Sequence, residues 1–103
     1  MDMNNLIQQA RQVQEKMGRM QEELAKRTVT TTAGGGMVSV TVNGRHELLA
    51  ISIDKEVVNP DELVMLQDLI VAAVNDAMRK VREMVQSEMG RLTGGMSIPG
   101  LFG

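Results

Sequence analysis

Residues 59–92 read NPDELVMLQDLIVAAVNDAMRKVREMVQSEMGRL, and the fold turns on them. Asn59 offers a side-chain oxygen as N-cap, and Pro60 suits the first helical position because its missing N–H would find no partner there anyway. Glu62 stands three residues after the cap, where its carboxylate reaches back to the cap's free N–H. Neither proline nor glycine follows before Gly90. One helix of that span is about 45 Å long at 1.5 Å per residue, too long to hide in a compact domain with a radius of gyration of about 13 Å. Its apolar positions are Leu63, Leu66, Ile70, Ala73, Ala77, Val81, Val85, Met89 and Leu92. After Ala73 the stripe advances in consecutive steps of 4, each of which carries it further round the helix. The spacing predicts that the half through Ala77 packs on one partner and the half beyond it on another, either as one rod or with a break near Ala77.

Working outward, the chain upstream supplies both partners. Between residues 3 and 26, apolar side chains fall at Leu6, Ala10, Val13, Met17, Met20 and Leu24, an alternation of 4 and 3 that makes a narrow heptad seam on an otherwise polar helix. Gly18 inside it costs about 1 kcal/mol relative to alanine. The rotated second half of the long helix is the expected partner of this seam. Next come the β-branched run 28–32, the loop Ala33-Gly34-Gly35-Gly36, and a strand over 37–42 with Val38, Val40 and Val42 on one face. Asn43-Gly44 then signals a two-residue hairpin turn into a third strand over 45–53. That turn pairs Val42 with Arg45, Val40 with Glu47 and Val38 with Leu49, so that Leu49, Ile51 and Ile53 join the valine face. Arg45 and Glu47 mark the end of that face nearest the turn.

The expected fold is therefore α+β: a long N-terminal helix, a three-stranded antiparallel meander and a long C-terminal helix. The first helix arrives at the sheet and the last departs from it, so with both on the same side they run antiparallel and form one projecting arm. A three-stranded sheet leaves two edges unpaired, which soluble proteins usually cover; a homodimer joined through the sheets covers them and presents two arms. One domain spans 1–92. Residues 93–103 carry Gly94, Gly95, Pro99, Gly100 and Gly103 and read as a flexible tail, in which the apolar patch Ile98-Pro99-Gly100-Leu101-Phe102 is the feature able to dock.

Composition excludes several functions. The chain of 103 residues has no cysteine, so neither disulfides nor thiolate metal sites are available. No apolar run approaches the length of a membrane span and the polar N-terminus is not a signal region, so a cytoplasmic protein without a membrane partner is expected. With Phe102 as the only aromatic, the core must be aliphatic and rich in the ten methionines, which adapt to irregular packing. His46 is the single histidine, placed just after the hairpin turn with no oriented partner for acid–base catalysis. Asp61 and Glu62 suit the positive end of a helix dipole better than a metal. The triple glycine lacks the Gly-Lys-Ser/Thr of a phosphate loop. No enzyme, cofactor, metal or small-molecule substrate is expected.

The order and character of these segments are similar to one known family. The run Gln12 to Ala25, the Ala33-Gly34-Gly35-Gly36 loop before the valine strand, Ile51-Ser52-Ile53-Asp54, the run Gln67 to Ala77, and the ending Met89-Gly90-Arg91-Leu92-Thr93-Gly94-Gly95 together resemble the YbaB/EbfC family of bacterial nucleoid-associated proteins. The resemblance covers nearly the whole chain and implies a tweezer-like homodimer. It also implies a place on the nucleoid, DNA binding with little sequence preference, and contacts made by the helical arms. Gln8 and Gln9 stand where basic residues are frequent in the family.

The charges refine that expectation. The formal net charge is −2, but residues 54–76 hold one lysine against six acids, while residues 1–30 hold five Lys/Arg against four acids and 77–103 four against two. Glu15–Arg19, Glu22–Lys26, Glu23–Arg27 and Asp76–Lys80 have the spacing of exposed helical ion pairs. Arg11 and Arg79 have Glu15 and Glu83 four residues on, in the less favourable order. Lys16, Arg82 and Arg91 are then the least compensated, with Arg11, Arg19, Arg79 and Lys80 in reserve, and these seven are the candidate DNA-contacting residues. In an antiparallel arm, Arg11, Lys16, Arg82 and Arg91 share the outer half, away from the acidic block. With Phe102 as the only aromatic to stack on a base, duplex DNA held by its phosphates is the expected ligand. The competing expectation is a protein-interaction adaptor with a Met-rich groove between the arms, marked by exposed Met17, Met20, Met84 or Met89.

Overall fold

Asp2 opens the first helix by accepting from the backbone N–H of Asn4, and the helix, α1, runs Met3–Lys26. The computed structural model describes residues 2–92, so the tail over 93–103 lies outside the described residues. Three strands follow, β1 (Thr28–Ala33), β2 (Val38–Asn43) and β3 (Leu48–Ile53), in the order β1-β2-β3 with antiparallel pairing throughout. Two short 3-10 turns, Lys55–Val57 and Pro60–Glu62, lead into the second helix, α2 (Leu63–Leu92). The expected element order and the single unbroken rod are both present; no break occurs at Ala77. At its start, the Asn59 side chain accepts from Asp61 N–H, but the first turn is 3-10, so the α-helix proper begins at Leu63.

The sheet has two unlike faces because its strands alternate. Val29, Thr31 and Ala33 sit opposite Val42, Val40 and Val38 on one face, while Thr30 and Thr41 share a hydroxyl hydrogen bond of 3.0 Å on the other. The first face carries the core: Val38, Val40 and Val42 pack against Ala73, Ala77 and Val81 of α2, and all six are fully buried. Alanine at two of the three helix positions lets the α2 backbone come close. Thr31 uses that closeness, its buried hydroxyl donating to the Ala73 carbonyl at 2.7 Å. The core is thus valine and alanine; among the described residues no methionine is fully buried, and Met78 packs at its margin.

The β2–β3 register differs from the two-residue hairpin. Val38 pairs with Ile53, Val40 with Ile51 and Val42 with Leu48, with a bulge at Thr41/Val42, so β3 starts at Leu48 and residues 44–47 form a longer turn. The Asn43 side chain explains it. Its carbonyl accepts from both Arg45 N–H and Glu47 N–H, its amide donates to Glu47, and His46 adopts a left-handed conformation at φ 64°. Arg45 and Glu47 consequently leave the valine face altogether. Gly44 has a different task from turn flexibility. Its N–H donates to the carbonyls of Leu24 and Arg27, and a Cβ there would collide with the Leu24 carbonyl. The turn therefore clasps the C-terminal end of α1. At the opposite end, Gly34, Gly35 and Gly36 all have positive φ, and Leu69 of α2 lies directly over Gly34.

These contacts orient both helices. α2 passes Gly34 at Leu69, Thr31 at Ala73 and reaches the Thr28 end of β1 with Val81 and Val85 still packed on the core. The sheet therefore occupies more of α2 than the half ending at Ala77, and only the last two turns run past it. α1 enters at that same end and projects away, giving a molecule 70 × 23 × 16 Å in extent. The projecting arm is mostly α1 alone, with α2 beside only its base.

Candidate nucleic-acid interface

The cationic side chains of α1 lie on a helix that solvent surrounds. Every residue from Asp2 to Lys16 is exposed, and burial begins only with half-buried Met17 and Met20 and buried Leu24. Helical periodicity puts Arg11 and Arg19 roughly opposite the apolar seam and Lys16 on its flank. None of Arg11, Lys16 and Arg19 makes an ion pair among the described residues. The expected Glu15–Arg19, Glu22–Lys26 and Glu23–Arg27 pairs do not form, so Lys26 too is without an ion pair among those residues. Arg27 instead reaches across the fold to Glu88, at 2.7 Å. An exposed pair of this kind contributes only about 0–1 kcal/mol, but it marks where α2 leaves the body: beside the base of α1.

On α2 the picture is the reverse, because the acids are within reach. Arg79 is held by Asp76 at 2.7 Å and Glu83 at 2.9 Å, and Lys80 approaches the other Asp76 oxygen at 3.7 Å. The Arg79 hydrogen bond, with the nearby Lys80 and Arg79 charges, holds the Asp76 carboxyl below its ordinary range, and Asp76 in turn raises Arg79. Arg91 lies 3.5 Å from Glu88 and is highly exposed. Arg82 is exposed and makes no ion pair among the described residues.

Arg11, Lys16, Arg82 and Arg91 are not gathered on one outer half of an arm. Arg11 sits about 24 Å along the α1 axis from Arg27 at 1.5 Å per residue, whereas Arg82 follows the fully buried Val81 and so stands beside the sheet. The physical reason is the long sheet contact of α2, which keeps Arg79, Lys80 and Arg82 on the body and sends only Arg91 past it. What does hold is the separation of charge. Asp54 N–H donates to the Met37 carbonyl at the sheet end remote from α1, so the acidic stretch from Asp54 to Asp68 begins at the pole opposite the arm.

His46 is exposed in the turn rather than on the strand, and no group of three or more His, Cys, Asp or Glu positioned for a metal ion occurs among the described residues. Met17, Met20, Met84 and Met89 are all half-buried, which gives the adaptor expectation no exposed methionine groove. No described helix is long and apolar enough to cross a membrane.

Comparison with known proteins agrees with this architecture. A crystal structure of an uncharacterized protein, HP0035, from Helicobacter pylori superposes with a TM-score of 0.80 at 27% identity, covering 90% of this chain and 98% of that one. A nucleoid-associated protein of Syntrophobacter fumaroxidans is 59% identical over 97 residues, covering 94% of this chain and 88% of the relative. A nucleoid-associated protein of Thermoanaerobacter pseudethanolicus is 54% identical over 101 residues, covering 98% and 91%. Residues 1–96 match the YbaB/EbfC DNA-binding family. Taken with the helix–meander–helix fold and the cationic arm, these matches show that the chain belongs to the YbaB/EbfC family of nucleoid-associated DNA-binding proteins and is not an enzyme.

Proposed function

We propose that this protein binds duplex DNA as a homodimer, chiefly through phosphate contacts and with little sequence preference, and so contributes to nucleoid organisation and gene regulation in the bacterial cytoplasm. One observation carries the reading: Arg11, Lys16 and Arg19 stand on a solvent-surrounded helix without ion-pair partners among the described residues, at the pole opposite the acidic block. Exposed cations on a rod can follow a phosphate backbone while the acidic pole stays away from it. Arg91 extends the same positive end onto α2, Arg82 stands exposed beside the sheet, and Arg79 and Lys80 are held back by Asp76 and Glu83. Phe102 is the only Phe, Tyr or Trp available to stack on a base, which favours duplex over single strands.

The dimer is supported by what α2 leaves uncovered. α2 lies over β1 and β2, and on β3 Leu48, Leu49, Ile51 and Ile53 remain 37–54% exposed beside an unpaired edge. A second copy covering that strand removes both liabilities and sets two arms on one particle. The test is electrophoretic retardation of random-sequence duplex over a salt series. Retardation at low salt that falls steeply as salt rises is expected, because each neutralised phosphate releases counterions. Binding that is absent at low salt, or indifferent to salt, would overturn the proposal.

A further inference from the structure

Of the five asparagines in the chain, only Asn43 precedes a glycine. Asparagine is thermolabile, and most so in this setting, because the backbone nitrogen of a residue without a side chain can approach the amide carbon closely. The Gly44 nitrogen bonds to Asn43 Cγ and gives up its proton to solvent, the Cγ–Nδ2 bond breaks, and Nδ2 leaves as ammonia. Water then opens the cyclic imide to aspartate or isoaspartate, so water is the only co-reactant. The fold restrains each group that this reaction needs. Gly44 N–H donates to the carbonyls of Leu24 at 3.1 Å and Arg27 at 3.2 Å. Asn43 Oδ1 accepts from the N–H groups of Arg45 at 2.9 Å and Glu47 at 3.1 Å, Nδ2 donates to the Glu47 carboxylate at 3.0 Å, and the residue is 7% exposed. The two restraints differ in origin. The side chain is held from within the turn, whereas the nucleophilic nitrogen is held by α1.

α1 is anchored only at this end, since every residue from Asp2 to Lys16 is exposed, and an element with few buried contacts opens before the rest of a fold does. We propose that Asn43 is a latent deamidation site whose reactivity is set by the docking of α1. While the Leu24 and Arg27 carbonyls hold Gly44 N–H, the amide persists. Once the base of α1 lifts, the nitrogen is released and the imide forms. The product cannot rebuild the clasp. Aspartate has no amide hydrogen for Glu47 and sets a second carboxylate beside it, where like charges repel. Isoaspartate carries the backbone through the side-chain carbon and so lengthens it by one atom, at the residue where β2 pairs with Thr28 of β1. Transient lifting is thereby converted into a permanent loss of anchorage, recorded as one added negative charge. None of this depends on whether the arm binds DNA.

The test follows conversion of Asn43 to aspartate and isoaspartate by peptide mapping and mass spectrometry during incubation of the full chain at mildly alkaline pH, with Asn75 of α2 as internal control. The folded protein is expected to convert roughly tenfold or more slowly than the urea-denatured chain, since modification through an open state tracks the opening equilibrium. Two variants loosen the base of α1 from different directions. Leu24→Ala removes buried packing, and Glu23→Pro distorts the last turn from an exposed position. Both are expected to convert faster than the unsubstituted protein while the methyl signals of Val38, Val40 and Val42 report an intact core. A third arm needs no substitution: across sub-denaturing urea, conversion should rise together with hydrogen exchange of the Gly44 amide and ahead of exchange at the core valines. Folded protein that converts as fast as the denatured chain overturns the proposal. So do variants with an intact core that convert no faster than the unsubstituted protein, and so does conversion that follows exchange of the core amides instead of Gly44.

Discussion

Asp76 decides how much positive charge α2 can offer. It binds Arg79 directly and draws Lys80 towards its second oxygen, so replacing it with asparagine frees Lys80, leaves Arg79 to Glu83 alone and deletes an acid. Asp76→Asn is expected to tighten duplex binding about two- to fivefold at low salt, as the gain of one exposed charge interaction would; unaltered retardation would show that this part of α2 does not approach DNA. Because the folded-state carboxyl titrates below its ordinary range, the small stability that the pair supplies is present above the usual carboxylate pKa and is lost as pH falls through the lowered one. Gly44 is the other decisive residue. It lies against the Leu24 carbonyl with no room for a side chain, and Gly44→Ala is expected to cost about 2–3 kcal/mol by prising the α1 base from the turn, measured by denaturant unfolding.

Among the elements, the helices were the most legible and the third strand the least. Heptad spacing in α1 and the run of valines in β2 announce themselves through local periodicity, and the structure has both. The start of β3 depends instead on Asn43, whose side chain captures two backbone N–H groups and lengthens the turn; an Asn-Gly pair looks the same in sequence whether it makes a tight turn or this one. The extent of α2 on the sheet was also hidden, since Val81 and Val85 continue the stripe equally well for a sheet or a helix partner. Gly18 is a test at this scale. It sits in α1 with open space around its Cα, where the helix passes from exposed to half-buried residues, and Gly18→Ala is expected to stabilise the protein by about 0.5–1 kcal/mol. A melting temperature that does not rise would show that α1 unfolds separately from the sheet.

For the whole molecule, the polarity of charge was legible from block composition, but the placement of the candidate cations was not. The Arg27–Glu88 contact joins residues far apart in sequence, and no local pattern foretells that α2 would meet α1 only at its base. The proposed homodimer is testable on the same geometry. Paired substitution of Ile51 and Ile53 by lysine puts charge on the exposed face of β3 while leaving the valine core intact, and sedimentation equilibrium is expected to report monomers where the unsubstituted protein gives dimers. DNA retardation should weaken with it, since one arm then replaces two.

The proposed DNA contact lies on α1, on side chains without ion pairs among the described residues. It is tested most directly by replacing Arg11, Lys16 and Arg19 with glutamine together and measuring duplex affinity against salt beside the matching Arg79, Lys80 and Arg82 triple. With folding intact, the α1 triple is predicted to lose most of the low-salt affinity and to flatten the salt dependence by about 0.9 for each phosphate contact removed, while the α2 triple changes it less. An α1 triple that binds as tightly, with the same salt slope, as the unsubstituted protein would contradict the account.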